Sequence, residues 1–262
     1  MTRDLLNAMP DWALFFLVVG GIVVLSLSGL VVVRHFLPHW RVNAEVSVAV
    51  GAMVMTLFAL VLAFAAVNLY DSYRVANINV ESEGNSLAQI TRDIRVFNHA
   101  DQAKVDRAIA VYIREVRDQE FPQMHDGTIN PEAVGKFEGV FAAMQSIVPV
   151  KSNERAFYDS AVSKLNDAVA ERRNRISEAN SSLPNAFWSL LLITAFASIA
   201  ITFFLKVDNP AMEYVLVGAV ALVVGAGLMT VLLLEYPFSG SIAVSSEAFT
   251  HGALAGLLAQ YP

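Results

Sequence analysis

The chain has 262 residues, of which 55% are hydrophobic and only 16% charged, and its formal net charge is −6. That is too apolar and too weakly charged for a protein whose whole surface meets water, and the acidic balance offers nothing to nucleic acid. Cysteine is absent, which excludes disulfides and thiolate metal sites.

Trp12 to Val33 is uncharged and long enough to be a first membrane helix. One arginine, Arg3, precedes it beside Asp4 and Asp11, and no clear small-residue cleavage site follows. The run is therefore expected to stay in the membrane and not to leave as a signal peptide. Arg34, His35, Pro38, His39, Trp40 and Arg41 make a short basic loop at the interface. Pro38 argues against His35 and His39 sharing one helical face as metal ligands.

A second, long helix is expected from Glu45 to about Phe97. Its first part, Val46 to Tyr70, is 25 residues without a charge, enough to cross a hydrocarbon core of about 30 Å. Ala49, Ala52, Thr56, Ala59, Ala63 and Ala66 recur at spacings of three and four and form a small-residue stripe, with Asn68 near its far end. Such a stripe serves close helix packing, within one subunit or between subunits, or lines a pore with a hydrophobic gate. The same register leads on through Tyr73, Val80, Leu87 and Ile94, a coiled-coil-like seam on an otherwise polar helix. Glu81 and Glu83, two apart, point to different faces and read as solvated residues.

Residues 71–185 hold 14 Lys and Arg against 17 Asp and Glu, a balance of −3. The segment reads as helical, with breaks where Gly and Pro cluster. Val105, Ile109, Tyr112, Ile113 and Val116 mark the face of one helix. Asn130 and Pro131 start another, with Val134, Phe137, Phe141, Met144 and Val148 along it. A last one runs from about Asn153 to Ser181 with Phe157, Ala161, Leu165, Ala168, Arg172, Ile176 and Ala179 on one side. A third membrane helix spans Ala186 to Leu205, anchored by Trp188, and a fourth spans about Met212 to Leu234, with Glu213 at its edge and Gly218, Ala221 and Gly225 as a close-packing face. A turn at Tyr236–Gly240 stops it. A short helix with Phe249, Leu254, Leu257 and Leu258, capped by Ser245 or Ser246, is expected to lie on the membrane or on the bundle.

The expected fold is all-α: a polytopic membrane protein with four transmembrane helices and a helical bundle between the second and third. Its parts are 1–70 (first helix pair), 71–185 (extramembrane bundle), 186–235 (second pair) and 236–262 (C-terminal turn and helix). Arginines near the membrane ends lean the bundle to the cytoplasmic side.

No nucleotide-binding, nucleophile-elbow or zincin motif occurs, so no enzyme, cofactor or metal site is expected. Arg172, Arg173 and Arg175 lie within a few turns of the membrane. They read as contacts to anionic lipid or, in a ring of subunits, as an anion-attracting vestibule.

With these motifs placed, the chain resembles a family of four-helix bacterial membrane proteins described as bestrophin-like. The resemblance rests on Asn68-Leu69-Tyr70-Asp71, on Val80-Glu81-Ser82-Glu83-Gly84-Asn85-Ser86-Leu87-Ala88, on Glu171-Arg172-Arg173-Asn174-Arg175 before Leu183-Pro184, and on Tyr236-Pro237-Phe238-Ser239-Gly240. Glu235 keeps the acid that the family carries before the Pro237-Phe238-Ser239-Gly240 turn, and Tyr236 stands where a basic residue is usual. The resemblance implies a homo-oligomer in the lipid bilayer that passes a small inorganic anion, with the second helix near the axis. A non-conducting scaffold or sensor that binds a protein through its bundle is the alternative. A stator-like ion-driven subunit would need a hydroxyl path, for which Thr194, Ser198, Thr202 and Thr230 are the available residues.

Overall fold

A computed structural model of the chain describes residues 2–36, 44–129, 132–205 and 209–261. Pro38, His39, Trp40, Arg41, Asn130, Pro131 and Lys206 lie outside them. Among the described residues there are helices and no strands. The helices are α1 (Thr2–Ala8), α2 (Asp11–Phe15), α3 (Gly21–Phe36), α4 (Ala44–Asp93), α5 (His99–Glu115), α6 (Phe121–His125), α7 (Glu132–Gln145), α8 (Ser152–Ala179), α9 (Asn185–Thr202), α10 (Pro210–Leu234) and α11 (Gly252–Gln260). Among the described residues four stretches are long and apolar enough to cross a membrane: Asp11–Phe36, Val48–Val96, Asn185–Thr202 and Pro210–Leu234.

The chain divides into two compact units. One comprises Met1–Asp71 with Ser182–Glu235, the other Ser72–Ser181 with Tyr236–Pro262. In the first, a π turn at Phe16–Gly20 joins α2 to α3, and α10 packs on that turn, on α3 and on α9. Gly225 makes the close approach possible, since a Cβ there would sit 3.2 Å from the Cα of Val19. Of the expected close-packing face, Ala221 and Gly225 are buried, whereas Gly218 has open space where its side chain would be. The apolar core joins Phe58, Val61, Ala65 and Leu69 of α4 to Leu191 and Ala195 of α9 and to Val224, Leu228 and Val231 of α10.

The second unit is a helical bundle. Val105, Ile109, Tyr112 and Ile113 of α5 meet Phe137, Val140 and Met144 of α7, and Ala161, Leu165 and Ala168 of α8 complete the core. On α7 the buried face differs from the expected one. Ala133 and Val140 are fully buried, whereas Val134 and Val148 are exposed. On α8 the expected face holds at Ala161, Leu165, Ala168 and Ala179, which are buried, while Phe157 is 45% exposed and Arg175 sits inside. The C-terminal segment belongs to this bundle: Phe238, Val244, Phe249, Leu254 and Leu257 lie in its core.

The helix α4 corrects the seven-residue register. Its buried apolar residues are Phe58, Val61, Ala65 and Leu69 in one unit and Ala76, Val80, Leu87 and Ile90 in the other, with Glu83 among the latter and Ile94 just past its end. That series follows the 3.6-residue period of an ordinary helix. A seven-residue repeat drifts by about 20° per heptad against it. The extrapolated register thus starts on the exposed face at Ala49 and Ala52 and ends on the buried one at Val80, Leu87 and Ile94.

Loops are closed by local caps. The Asn98 side chain accepts from the Asp101 amide at 3.0 Å and starts α5. At the start of α8, Glu154 accepts from the amides of Val150 (2.9 Å) and Lys151 (3.1 Å) and pairs with the Lys151 ammonium at 2.9 Å. The Lys151 hydrogen bond foremost, and then the two amides, lower its carboxyl from 4.5 to about 2. A carboxylate depressed in the folded state adds stability that is full above the unfolded value and is lost as pH falls through the folded one. The Glu154→Gln chain should therefore melt below the parent at pH 7, with the gap closing between pH 4.5 and 2. Thermal melts followed by circular dichroism check this, and a gap that does not change with pH would reject it.

Candidate functional site

The bundle encloses a charge cluster drawn from four segments. Glu83 comes from α4, Tyr112 from α5, Glu120 from the π turn Val116–Glu120 between α5 and α6, and Arg172 and Arg175 from α8. Arg175, Glu83, Glu120 and Tyr112 have no solvent exposure. The Arg175 Nε donates to Glu83 Oε2 at 2.8 Å, and Nη2 donates to Glu83 Oε1 at 3.3 Å and to Glu120 Oε2 at 2.7 Å. The remaining nitrogen, Nη1, lies 3.0 Å from the Met124 sulfur. Tyr112 donates to Glu83, and Arg172 pairs with the other oxygen of Glu120.

Two guanidinium groups thus face two carboxylates, and the cluster is neutral as a whole. Burial works against the charge on Arg175, but Glu83 and Glu120 more than offset it and hold the group protonated. Burial, with Glu83 beside it, pushes the Tyr112 hydroxyl well above its ordinary value. Both shifts move Arg175 and Tyr112 away from proton exchange near neutral pH. The arrangement is a clamp that ties α4, α5, the π turn and α8 together. The wide π turn is what lets an acid at the end of α5 point into the interior, a use such turns often serve.

Aromatic rings close the cluster. The Arg175 guanidinium lies 5.2 Å from the Phe121 ring centre and 5.9 Å from that of Phe249. Phe121 makes edge contacts with Phe238 at 5.9 Å and with Phe249 at 6.0 Å. Phe238 belongs to the Pro237-Phe238-Ser239-Gly240 turn. Ser239 donates to the His125 carbonyl at 2.8 Å, Pro237 accepts from the Val244 amide at 2.8 Å, and Gly240 takes a positive φ of 77°. Gly84 leaves room for the following segment, because a Cβ there would lie 2.9 Å from the Ala248 carbonyl oxygen. Three of the four motifs that carry the resemblance meet around one arginine.

This placement corrects two expectations. Glu83 is buried in an ion pair and is not solvated, while Glu81 is exposed and accepts from Asn77 at 2.8 Å. Arg175 is enclosed by the bundle and meets neither lipid nor a water-filled vestibule; Arg172 is engaged on Glu120, and Arg173 alone of the three is exposed.

The stripe on α4 lies elsewhere. Ala49, Ala52, Thr56, Ala59 and Ala63 are exposed, Ala66 is half-buried, and Asn68 is exposed with its amide donating to the Phe64 carbonyl at 2.8 Å. Packing within the chain uses the other face of α4, so the stripe is not an intrasubunit contact. In the same unit Arg34 pairs with the buried Glu213 and stacks on Tyr214 at 4.7 Å, and Trp188 donates to Glu235 at 2.7 Å. Among the described residues no three His, Asp or Glu side chains gather as a metal site.

The sequence profile of the Bestrophin-like domain matches residues 20–249. The chain belongs to the Bestrophin-like family. Among solved structures it is similar to a single-residue variant of a bacterial bestrophin homologue from Klebsiella pneumoniae, with a TM-score of 0.72 and 13% identity over 94% of this chain and 98% of that one. Another variant of a Klebsiella pneumoniae homologue gives 0.70 and 12% over 97% and 98%. A crystal structure described only as a membrane protein gives 0.72 and 12% over 93% and 98%. At such identities the likeness is one of fold. No curated protein matches the sequence. This chain is thus a bestrophin-like membrane protein with the all-α fold expected of it.

Sequence reasoning missed Glu120 as a partner of Arg175 and Tyr112 as a partner of Glu83. The signal for Glu83 was present, since a 3.6-residue period places it between Val80 and Leu87 on the buried face. Breaking a buried pair leaves uncompensated charge and costs about 3–5 kcal/mol. Arg175→Met, which strands both Glu83 and Glu120, should destabilise the bundle by an amount in that range. Adding Glu83→Gln and Glu120→Gln should recover a large part. Equilibrium denaturation in detergent checks this, and a neutral Arg175→Met would refute the clamp.

Proposed function

We propose that this protein is a homo-oligomeric, bestrophin-type channel for small inorganic anions, with α4 nearest the symmetry axis. The observation that carries the reading is the open face of α4. Ala49, Ala52, Thr56, Ala59 and Ala63 stand uncovered within one chain, in a stretch without charge from Val46 to Tyr70. Large side chains such as Met53, Leu57, Leu60, Phe64 and Val67 flank them on the same helix, where they suit lipid. Small residues in a line suit the close approach of neighbouring copies or the wall of a narrow apolar constriction. Family membership supports anions as the permeant class, and the arginine distribution supports a bacterial inner membrane with the bundle in the cytoplasm. The exposed Val148 and Val150 at the turn after α7, 77% and 86% open, are what favours the second reading, a scaffold that docks a protein partner.

Native mass spectrometry of the detergent-purified chain should find a ring oligomer, and liposomes carrying it should pass chloride. Ala59→Leu and Ala63→Leu should each lower the share of oligomer and the flux together. A strictly monomeric protein with no flux would overturn the channel reading and move the weight to the scaffold.

A further inference from the structure

The corner between α4 and α5 holds a buried carboxylate that the clamp does not use. Asp106 lies about two turns into α5 and is 1% exposed. Its Oδ2 pairs with the Arg95 Nη1 at 3.1 Å, whereas its Oδ1 meets no donor among the described residues. Arg95 stands in the 3₁₀ turn Ile94–Val96 that follows α4, and 52% of its side chain is open. The same Nη1 donates to Gln102 Oε1 at 3.2 Å. The Gln102 amide donates back to the carbonyls of Arg95 at 3.2 Å and of Phe97 at 2.7 Å. Gln102 and Asp106 are four apart and share one face of α5, so one guanidinium reaches across the corner to both.

From the structure we infer that Asp106 is an acid-responsive switch in this corner. Ionised, it holds Arg95 across the turn; protonated, it releases the guanidinium and stays inside as a neutral acid. A buried carboxylate gives up its hydration and has to be met on both oxygens. Asp106 is met on one, and by a cation that itself faces water, where an ion pair is weak. Burial therefore raises its carboxyl, and Arg95 offsets a part of this. The charged groups of the surrounding elements are turned away or engaged elsewhere. Glu132, Lys136 and Glu138 of α7 are exposed. In the π turn Glu120 is held by Arg172 and Arg175, and Arg117 pairs with Asp118. Asp93 of α4 accepts from Gln89 and Ser160, Lys164 of α8 pairs with Asp167, and α11 carries no charge. A carboxyl raised in the folded state adds stability as pH falls through that raised value, and the gain is complete below the ordinary value of 3.8. This is the reverse of Glu154. On acidification the corner thus loosens while the bundle as a whole gains.

The test uses the full chain in detergent between pH 7 and pH 4. Asp106→Asn has the shape of the protonated acid. It should melt above the parent at pH 7, and the gap should close as the pH falls. Arg95→Met, a change at a half-open side chain, leaves the carboxylate without its partner; it should melt below the parent at pH 7 and approach it in acid. Amide hydrogen exchange read by mass spectrometry reports the corner itself. After correction for the intrinsic rate, residues 94–103 of the parent should exchange several-fold faster at pH 4 than at pH 7. Asp106→Asn should show the faster exchange already at pH 7. Corrected exchange that stays flat with pH in the parent overturns the switch without any variant having to fold. So does an Asp106→Asn chain that melts at or below the parent at pH 7, or a gap that pH does not change. None of these outcomes depends on whether the protein conducts.

Discussion

A fully buried guanidinium constrains everything around it. Desolvating an arginine is costly, and the charge is tolerable only if carboxylates and hydrogen-bond acceptors meet it on all sides. Arg175 has Glu83 on one edge, Glu120 on another, the Met124 sulfur on a third, and the rings of Phe121 and Phe249 nearby. Each of these demands has a structural consequence. Glu120 reaches inward only because α5 opens into a π turn before α6. Phe121 then needs Phe238 and Phe249 against it, which fixes the Pro237-Phe238-Ser239-Gly240 turn and the C-terminal segment onto the bundle. Gly84 has to be small for that segment to fit. An apolar core would hold the helices together as well or better. What the ion pairs add is uniqueness of register, because a one-turn slip of α4 against α8 would leave Arg175 without Glu83.

The helix α4 reconciles two solvents by using opposite faces. In the membrane unit its packing face is Phe58, Val61, Ala65 and Leu69, and the small residues lie across from it. In the bundle the same 3.6-residue series continues as Ala76, Val80, Glu83, Leu87, Ile90 and Ile94. One unbroken period thus supplies the intrachain face throughout, and the open face is left to whatever surrounds the chain. A strict heptad would have demanded a supercoil partner along the whole length. The helix instead meets its own chain on one side, and no supercoil is needed.

Much of this was legible in the sequence, and the illegible parts share a cause. The spans announce themselves because hydrocarbon tolerates almost no charge, so Trp12 to Val33 or Met212 to Leu234 can be read from composition alone. The faces of α5 are equally plain in Val105, Ile109, Tyr112 and Ile113. The charge cluster is not, because Glu83, Glu120 and Arg175 look like ordinary solvated residues until their partners, 92 and 55 positions apart, are brought together. Nothing local signals a π turn at Val116–Glu120. The stripe was visible as a stripe, but spacing does not say what a face looks at, and only the packing of the opposite face on Leu191 and Val224 shows that it looks outward.

Polar accounting inside the membrane unit bears on the remaining alternative. A stator-like ion path through α9 and α10 needs hydroxyls that hand a proton or a cation from one to the next. Thr194 donates to Leu190, Ser198 to Thr194, Thr202 to Ile199 and Thr230 to Ala226, in each case to a backbone carbonyl three or four residues back on the same helix. Such bonds satisfy the hydroxyl where no water is available, and they turn its proton toward its own backbone. The four groups form no chain with one another. Conduction along these helices would require those bonds to be given up.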